Sequence, residues 1–161
     1  MKNLLSRLAK EWGITVEDVR SWKPCRKIDS IADAIEQATA SDCQWALSEA
    51  IQRAWNIAPE TRAAHLDRLV GLWLYCAIRY ATDIDPAVRA EHLDRLVGER
   101  LSRAIQGTTD IAPETRAVHL DRLEGEWLYR AIENATDIAP ETRDSHRVRL
   151  AKEDKKLGTT S

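Results

Sequence analysis

The sequence predicts an all-α protein in which a small N-terminal helical headpiece precedes a helical repeat array of 27-residue units. Residues 57–83 and 111–137 are identical at 21 of 27 positions. Charged residues make up 31% of the 161-residue chain and phenylalanine is absent, a composition typical of soluble helical proteins. Prolines mark the period, at Pro59, Pro86, Pro113 and Pro140. A fixed period of this size in a polar, helix-forming sequence indicates stacked helical units.

Each unit is predicted to begin with a turn and a proline, as in residues 82–86. Proline at the first helical position loses no hydrogen bond, and Asp85 can cap the exposed amides. Apolar residues then recur at steps of three and four through a central glycine (Gly71, Gly98 or Gly125). This unbroken phase favours one helix of about 22 residues. The alternative is a break at each glycine, because glycine is a natural helix stop.

Aromatic and small or polar units alternate along the chain. Residues 73–75 and 127–129 both read Trp-Leu-Tyr, whereas residues 46–48 read Ala-Leu-Ser and residues 100–102 read Arg-Leu-Ser. Successive antiparallel helices present different ends to one side, which explains such an alternation. The sequence therefore predicts antiparallel helices with a 54-residue super-period, twice the length of one unit.

The headpiece is predicted at residues 1–27, the array at 28–157 and a tail at 158–161. The units of the array are about 28–56, 57–83, 84–110 and 111–137, with a capping helix at 138–157. Arg147 replaces a core leucine in the cap, and Lys152 replaces the central glycine. A polar last helix is typical of the terminal repeat of an array, whose outer face must be polar for solubility.

Composition also limits the cellular compartment and the kinds of partner that the sequence predicts. No apolar run approaches the roughly 18 residues of a membrane span. The cysteines (Cys25, Cys43 and Cys76) are odd in number and lack metal-site spacing, which indicates reduced thiols in a cytoplasmic protein. Residues 31–140 carry eleven arginines against eighteen acids, and this acidic balance argues against the repeats wrapping nucleic acid.

The segment from Leu5 to Lys23 reads LSRLAKEWGITVEDVRSWK. Ala9, Gly13 and Val19 occupy its small-residue, turn and buried-aliphatic positions. The segment resembles the helix-turn-helix of many bacterial and phage DNA-binding proteins. That resemblance implies a regulator that contacts nucleic acid through basic side chains, here Arg20, Lys23, Arg26 and Lys27.

Two acids oppose DNA contact by this segment. Glu17 and Asp18 lie near the start of the would-be recognition helix, where base-contacting residues normally lie. The alternative for residues 1–27 is a structural cap or a protein-docking headpiece.

Histidine, aspartate and arginine form ladders at the repeat period, beginning with His65, Asp67 and Arg62. Side chains two residues apart on a helix point away from each other, so one unit cannot chelate a metal through His65 and Asp67. Each histidine is predicted to hydrogen-bond a neighbouring unit. Arg62, Arg89 and Arg116 are predicted to form exposed ion pairs that set the register between helices. The pattern predicts no metal, cofactor or catalytic set, and therefore no enzyme.

The favoured function is a non-catalytic protein–protein interaction module, an adaptor, inhibitor or regulator, because helical arrays leave an extended face for partners. The alternative is a DNA-binding regulator that uses the N-terminal segment. Candidate partner contacts, provided that the aromatic ones are exposed, are Trp73, Tyr75, Arg100, Arg103, Trp127 and Tyr129.

One helical face differs between the two most similar units. Leu72, Cys76 and Tyr80 become Glu126, Arg130 and Asn134 two units later. Burial of this face must differ between the units, since most other residues are the same. Either the headpiece or a partner covers the apolar version. The headpiece is favoured, and it would protect Cys76 from thiol reagents.

Overall fold

The computed structural model describes residues 40–55 and 58–158, and the secondary structure of these residues is all helical, without strands. Two compact units divide the chain, unit 1 up to Ile84 and unit 2 from Asp85. Of the helices described, none is both long and apolar enough to cross a membrane. The prediction of an all-α protein is confirmed for this part of the chain. The predicted headpiece at residues 1–27 lies outside it.

Unit 1 contains three α-helices and one 3₁₀ turn among its described residues. They are α1 (Ala40–Arg53), α2 (Pro59–Ala63), the 3₁₀ turn Leu66–Arg68 and α3 (Gly71–Tyr80). Helix α1 packs against α3, and the Ser48 hydroxyl on α1 donates to the Trp73 carbonyl over 2.9 Å. The core consists mainly of aliphatic side chains, among them Leu47, Ile51, Leu66, Leu69, Leu74 and Ile78.

Unit 2 has the same elements twice and ends in a longer helix. Its elements are α4 (Pro86–Ala90), the 3₁₀ turn Leu93–Arg95, α5 (Gly98–Gly107), α6 (Pro113–Ala117), the 3₁₀ turn Val118–Arg122, α7 (Gly125–Asn134) and α8 (Pro140–Gly158). Helix α7 packs against both α5 and α8. Ser102 on α5 donates to the Trp127 carbonyl over 2.8 Å, the same contact that Ser48 makes in unit 1.

Proline begins each short helix, as the sequence predicts. Pro59, Pro86 and Pro113 all stand at the first helical position. Asp85 caps α4 by accepting from the Ala87 amide over 2.8 Å, which confirms the predicted cap. The equivalent residue in the other two cases is alanine, and there no side chain caps the helix.

The continuous 22-residue helix favoured by the apolar phase is wrong in all three glycine-containing repeats. In the first, the chain leaves the helix at a 3₁₀ turn, extends through Leu69 and Val70, and re-enters helix at Gly71. Gly71, Gly98 and Gly125 have φ between 48° and 56°, a left-handed conformation that glycine adopts without a Cβ clash. Glycine therefore starts the second helix of each of these repeats instead of ending the first.

The last repeat shows the opposite behaviour. Helix α8 runs without a break from Pro140 to Gly158, through Lys152 at the position of the central glycine. A lysine at that position would carry the left-handed penalty, so the chain continues as one helix. The helix is thus broken in the three repeats that have glycine at this position and continuous in the repeat that has lysine.

Gly125→Ala is expected to destabilise the protein by about 1–2 kcal/mol, the cost of a left-handed conformation for an L residue. A Cβ at this position would meet nothing within 4 Å, so backbone strain is the only penalty. Urea unfolding followed by circular dichroism measures the change. Lys152→Ala in the continuous helix is the control and should leave stability within about 0.5 kcal/mol. Equal stability of the two variants would contradict the role assigned to Gly125.

Candidate functional site

The arginines that open the three glycine-containing repeats, Arg62, Arg89 and Arg116, are buried. The prediction that they form exposed ion pairs is therefore wrong: they do form ion pairs, but their guanidinium groups lie inside the protein. Arg62 and Arg116 each donate to a carbonyl in the last turn of the preceding long helix, those of Ile51 and Ile105. The carbonyls at a helix end lack partners within the helix. These arginines therefore cap a neighbouring helix and are held inside the fold.

Each of these arginines also pairs with the aspartate that follows the next long helix. The pairs are Arg62–Asp83, Arg89–Asp110 and Arg116–Asp137. The aspartate side chains are partly exposed, so the carboxylate stays hydrated while the guanidinium is buried. For Arg62 and Arg116 the arrangement is structural: one guanidinium joins two successive long helices.

A second arginine series holds the 3₁₀ turns in unit 2. Arg122 donates to the carbonyls of Leu93, Asp94 and Leu96, over 3.2, 2.6 and 3.1 Å. Arg149 makes the matching contacts with the next turn, including the Asp121 carbonyl at 3.2 Å. The carbonyls freed by the broken helix thus find donors 26 to 29 residues away.

The histidines of unit 2 lie beside an aspartate of the preceding repeat. His119 Nδ1 is 3.3 Å from Asp94 Oδ1, and His146 Nδ1 is 3.9 Å from Asp121 Oδ1. These contacts join neighbouring repeats, but the predicted hydrogen bond is not made at His146, where the separation of 3.9 Å is too long. The described residues contain no group of three or more His, Cys, Asp or Glu side chains that could hold a metal ion.

Burial lowers the pKa of His119 and that of His146 below the ordinary value of 6.5. Asp94 raises the pKa of His119, but this aspartate is largely exposed and its attraction is screened by water. Arg122 lowers the pKa of His119 further. The folded state therefore favours the neutral imidazoles.

The unfolding free energy is expected to fall as pH is lowered from about 7.5 through 6.5 toward 5.5. The reason is that the unfolded state binds protons more readily than these two folded-state imidazoles, so their contribution is present above pH 6.5 and lost below it. Urea unfolding at several pH values measures the slope. The His119→Gln, His146→Gln double variant should have a shallower slope. An unchanged slope in that variant would contradict the assignment.

Two of the candidate partner contacts lie in unit 1, and neither is exposed. Trp73 is half-buried, and Tyr75 is 6% exposed. The Tyr75 hydroxyl accepts from Arg79 Nη1 over 2.5 Å, so its polar end is also engaged. Tyr75 was a candidate partner contact only if it is exposed, and it is buried.

The other four candidates lie in unit 2, on α5 and α7, which pack against each other. Arg100 and Arg103 are exposed, and Arg103 pairs with Glu99 over 2.6 Å. Trp127 is half-buried, with the Arg130 guanidinium 5.3 Å from its ring centre. Tyr129 is 57% exposed. We call these four residues, Arg100, Arg103, Trp127 and Tyr129, the unit 2 candidate surface.

The predicted DNA contacts, Arg20, Lys23, Arg26 and Lys27, lie outside the described residues. The same holds for the headpiece that was predicted to cover the apolar face of α3. On that face Leu72 and Tyr80 are exposed and Cys76 is half-buried. Burial, the largest cause, raises the pKa of the Cys76 thiol, which slows its reaction with thiol reagents.

Comparisons with protein-family models, with curated proteins and with solved structures found no match. The functional inference therefore depends on the residues and contacts described above.

Proposed function

We propose that the protein is a non-catalytic helical-repeat module that binds another protein, as an adaptor, inhibitor or regulator. In this proposal the 27-residue units form an array with a 54-residue super-period. One observation carries it: in unit 2, positions that are buried in both repeats nearly all hold the same residue, whereas positions that differ between the repeats are mostly exposed.

The identical pairs show how the repeated residues are used. Leu93 and Leu120, and likewise Leu101 and Leu128, are fully buried. Arg116 is also fully buried, and its contacts with carbonyls and with Asp137 belong to the fold. Repetition of these residues is therefore accounted for by packing within the protein.

The differing pairs lie mostly on the surface. Four of them are exposed in both repeats: Asp85 and Ala112, Ala87 and Glu114, Glu91 and Val118, Val97 and Glu124. In helical-repeat proteins the exposed, varying positions form extended binding surfaces. Tyrosine, tryptophan and arginine are also the side chains that most often dominate binding energy, and all three occur in the unit 2 candidate surface.

Affinity capture from the source cell tests the proposal, with crosslinking to locate the contact. Tyr129→Ala and Arg100→Ala should each weaken capture of the same partner. Thr136→Ala is the control, since Thr136 is exposed in unit 2 and the matching residue of the preceding repeat, Thr109, is the same. Capture of no partner, or equal loss with the control, would count against the module.

The alternative is a DNA-binding regulator, favoured by the basic side chains in the helix-turn-helix-like segment. It is tested by binding to random duplex DNA at low and moderate salt, because phosphate contacts weaken steeply with salt. Salt-sensitive binding that disappears in the Arg20→Ala, Lys23→Ala double variant would favour this function over protein binding.

A further inference from the structure

Arg143 is the one arginine of the opening series whose carboxylate position is empty among the described residues. Its Nε donates to the Ile138 carbonyl over 3.0 Å and its Nη1 to the Ile132 carbonyl over 3.4 Å. Arg116 makes the matching contacts with Ile111 and Ile105 and also pairs with Asp137.

The face of α7 that carries Tyr129 is also exposed. In α1 and α5, Ser48 and Ser102 are each 1% exposed, and each donates to a carbonyl of the long helix that follows. Tyr129 holds the matching position on α7 and is 57% exposed. The uncovered tyrosine is an observation independent of the unpaired guanidinium.

Both departures coincide with the continuous helix α8. In the preceding repeats the chain breaks before glycine and begins a separate ten-residue helix, whose end supplies the aspartate. Through Lys152 the chain instead continues straight to Gly158. The last repeat therefore has no separate helix to cover Tyr129 and no aspartate to pair with Arg143 within the described residues.

We infer that Tyr129 and Arg143 bind a helix of a partner protein that carries an aspartate or glutamate just beyond its last turn. This inference rests on the proposed function and names the partner's chemistry. The same arrangement occurs within the protein: Asp110 lies three residues after the end of α5 and pairs with Arg89. A carboxylate is the favoured partner for a guanidinium because two N–H groups can donate to it side by side.

A second copy of this chain fits the position less well. Asp110 and Asp137 already pair with Arg89 and Arg116, so a second copy would have to give up one of these pairs to fill it. The residue that matches these aspartates after α1 is Asn56, which carries no charge. A different protein with an unpaired carboxylate avoids this loss.

Fluorescence anisotropy with a peptide of residues 98–110 tests the inference on the full chain. The peptide is labelled at its N-terminus and amidated at its C-terminus, so that Asp110 carries the only carboxylate near that end. We expect saturable binding that weakens about tenfold or more with the Asp110→Asn peptide, as for loss of a charged hydrogen bond. Arg143→Gln in the protein should weaken it equally. Lys152→Gln, which removes an exposed positive charge from the same helix, should not.

Several outcomes would overturn the inference. They are no saturable binding, equal binding of the two peptides, or dimerisation of the chain that Arg143→Gln abolishes. The Asp110→Asn peptide decides the question if Arg143→Gln unfolds, because it leaves the protein unchanged. A captured partner that depends on Tyr129 but not on Arg143 would overturn the inference and leave the proposed function standing.

Discussion

Arg116→Ala is expected to destabilise the protein by about 2–6 kcal/mol, because two buried carbonyls lose their donor. Arg116 is fully buried and donates to the carbonyls of Ile105 and Ile111 and to Asp137. Its loss leaves both carbonyls without their donor, at about 1–3 kcal/mol each. Asp137 contributes less, because it is 38% exposed and water can replace the guanidinium.

Urea unfolding followed by circular dichroism measures this change. Arg103→Ala is the matched control in the same unit, because Arg103 is exposed and pairs with Glu99 four residues away. Exposed pairs of this kind contribute about 0.3–0.5 kcal/mol. Arg116→Lys should recover only part of the loss, since an ammonium cannot reproduce the planar fork of donors. Equal stability of the Arg116→Ala and Arg103→Ala variants would contradict the capping role.

Leu128→Ala is expected to destabilise the protein by about 2–5 kcal/mol, the range for truncating a buried leucine. Leu128 is fully buried on α7, the helix that packs against both α5 and α8. The cavity would lie where these elements meet, and neither neighbour can close it without losing its own packing.

Chemical unfolding again gives the measurement, with Val118→Ala as the control for an exposed aliphatic side chain. Val118 is 66% exposed, and its truncation should change stability by less than about 0.5 kcal/mol. A Leu128 variant as stable as the control would show that α7 is not a core helix.

The sequence predicted the class of the fold and several of its contacts. Prolines at helix starts, the cap at Asp85 and the histidine–aspartate contacts between repeats all follow from local chemistry that a single residue pattern carries. The break at each glycine did not follow, because the apolar stripe keeps its phase whether or not the helix is continuous. The break goes with a glycine that can adopt the left-handed conformation and with donors for the freed carbonyls, such as Arg122 for the turn at Leu93.

Candidate contacts were harder to predict than the fold. Tyr75 and Tyr129 occupy the same position in near-identical sequences, yet one is buried and the other exposed. The exposure of each tyrosine depends on which helix packs beside it, and the local sequence does not indicate this. The helix-turn-helix assignment stays a prediction.

The long-range arginine contacts also bear on how the chain folds. Those that hold unit 2 together join residues separated by between 5 and 29 positions. Closing loops of this length carries a small entropic penalty, and proteins of low contact order fold in about microseconds to milliseconds. In such a chain structure can nucleate in one repeat and spread to its neighbours, and unfolding can start from an end. Amide hydrogen exchange should therefore be faster in α8 than in α5.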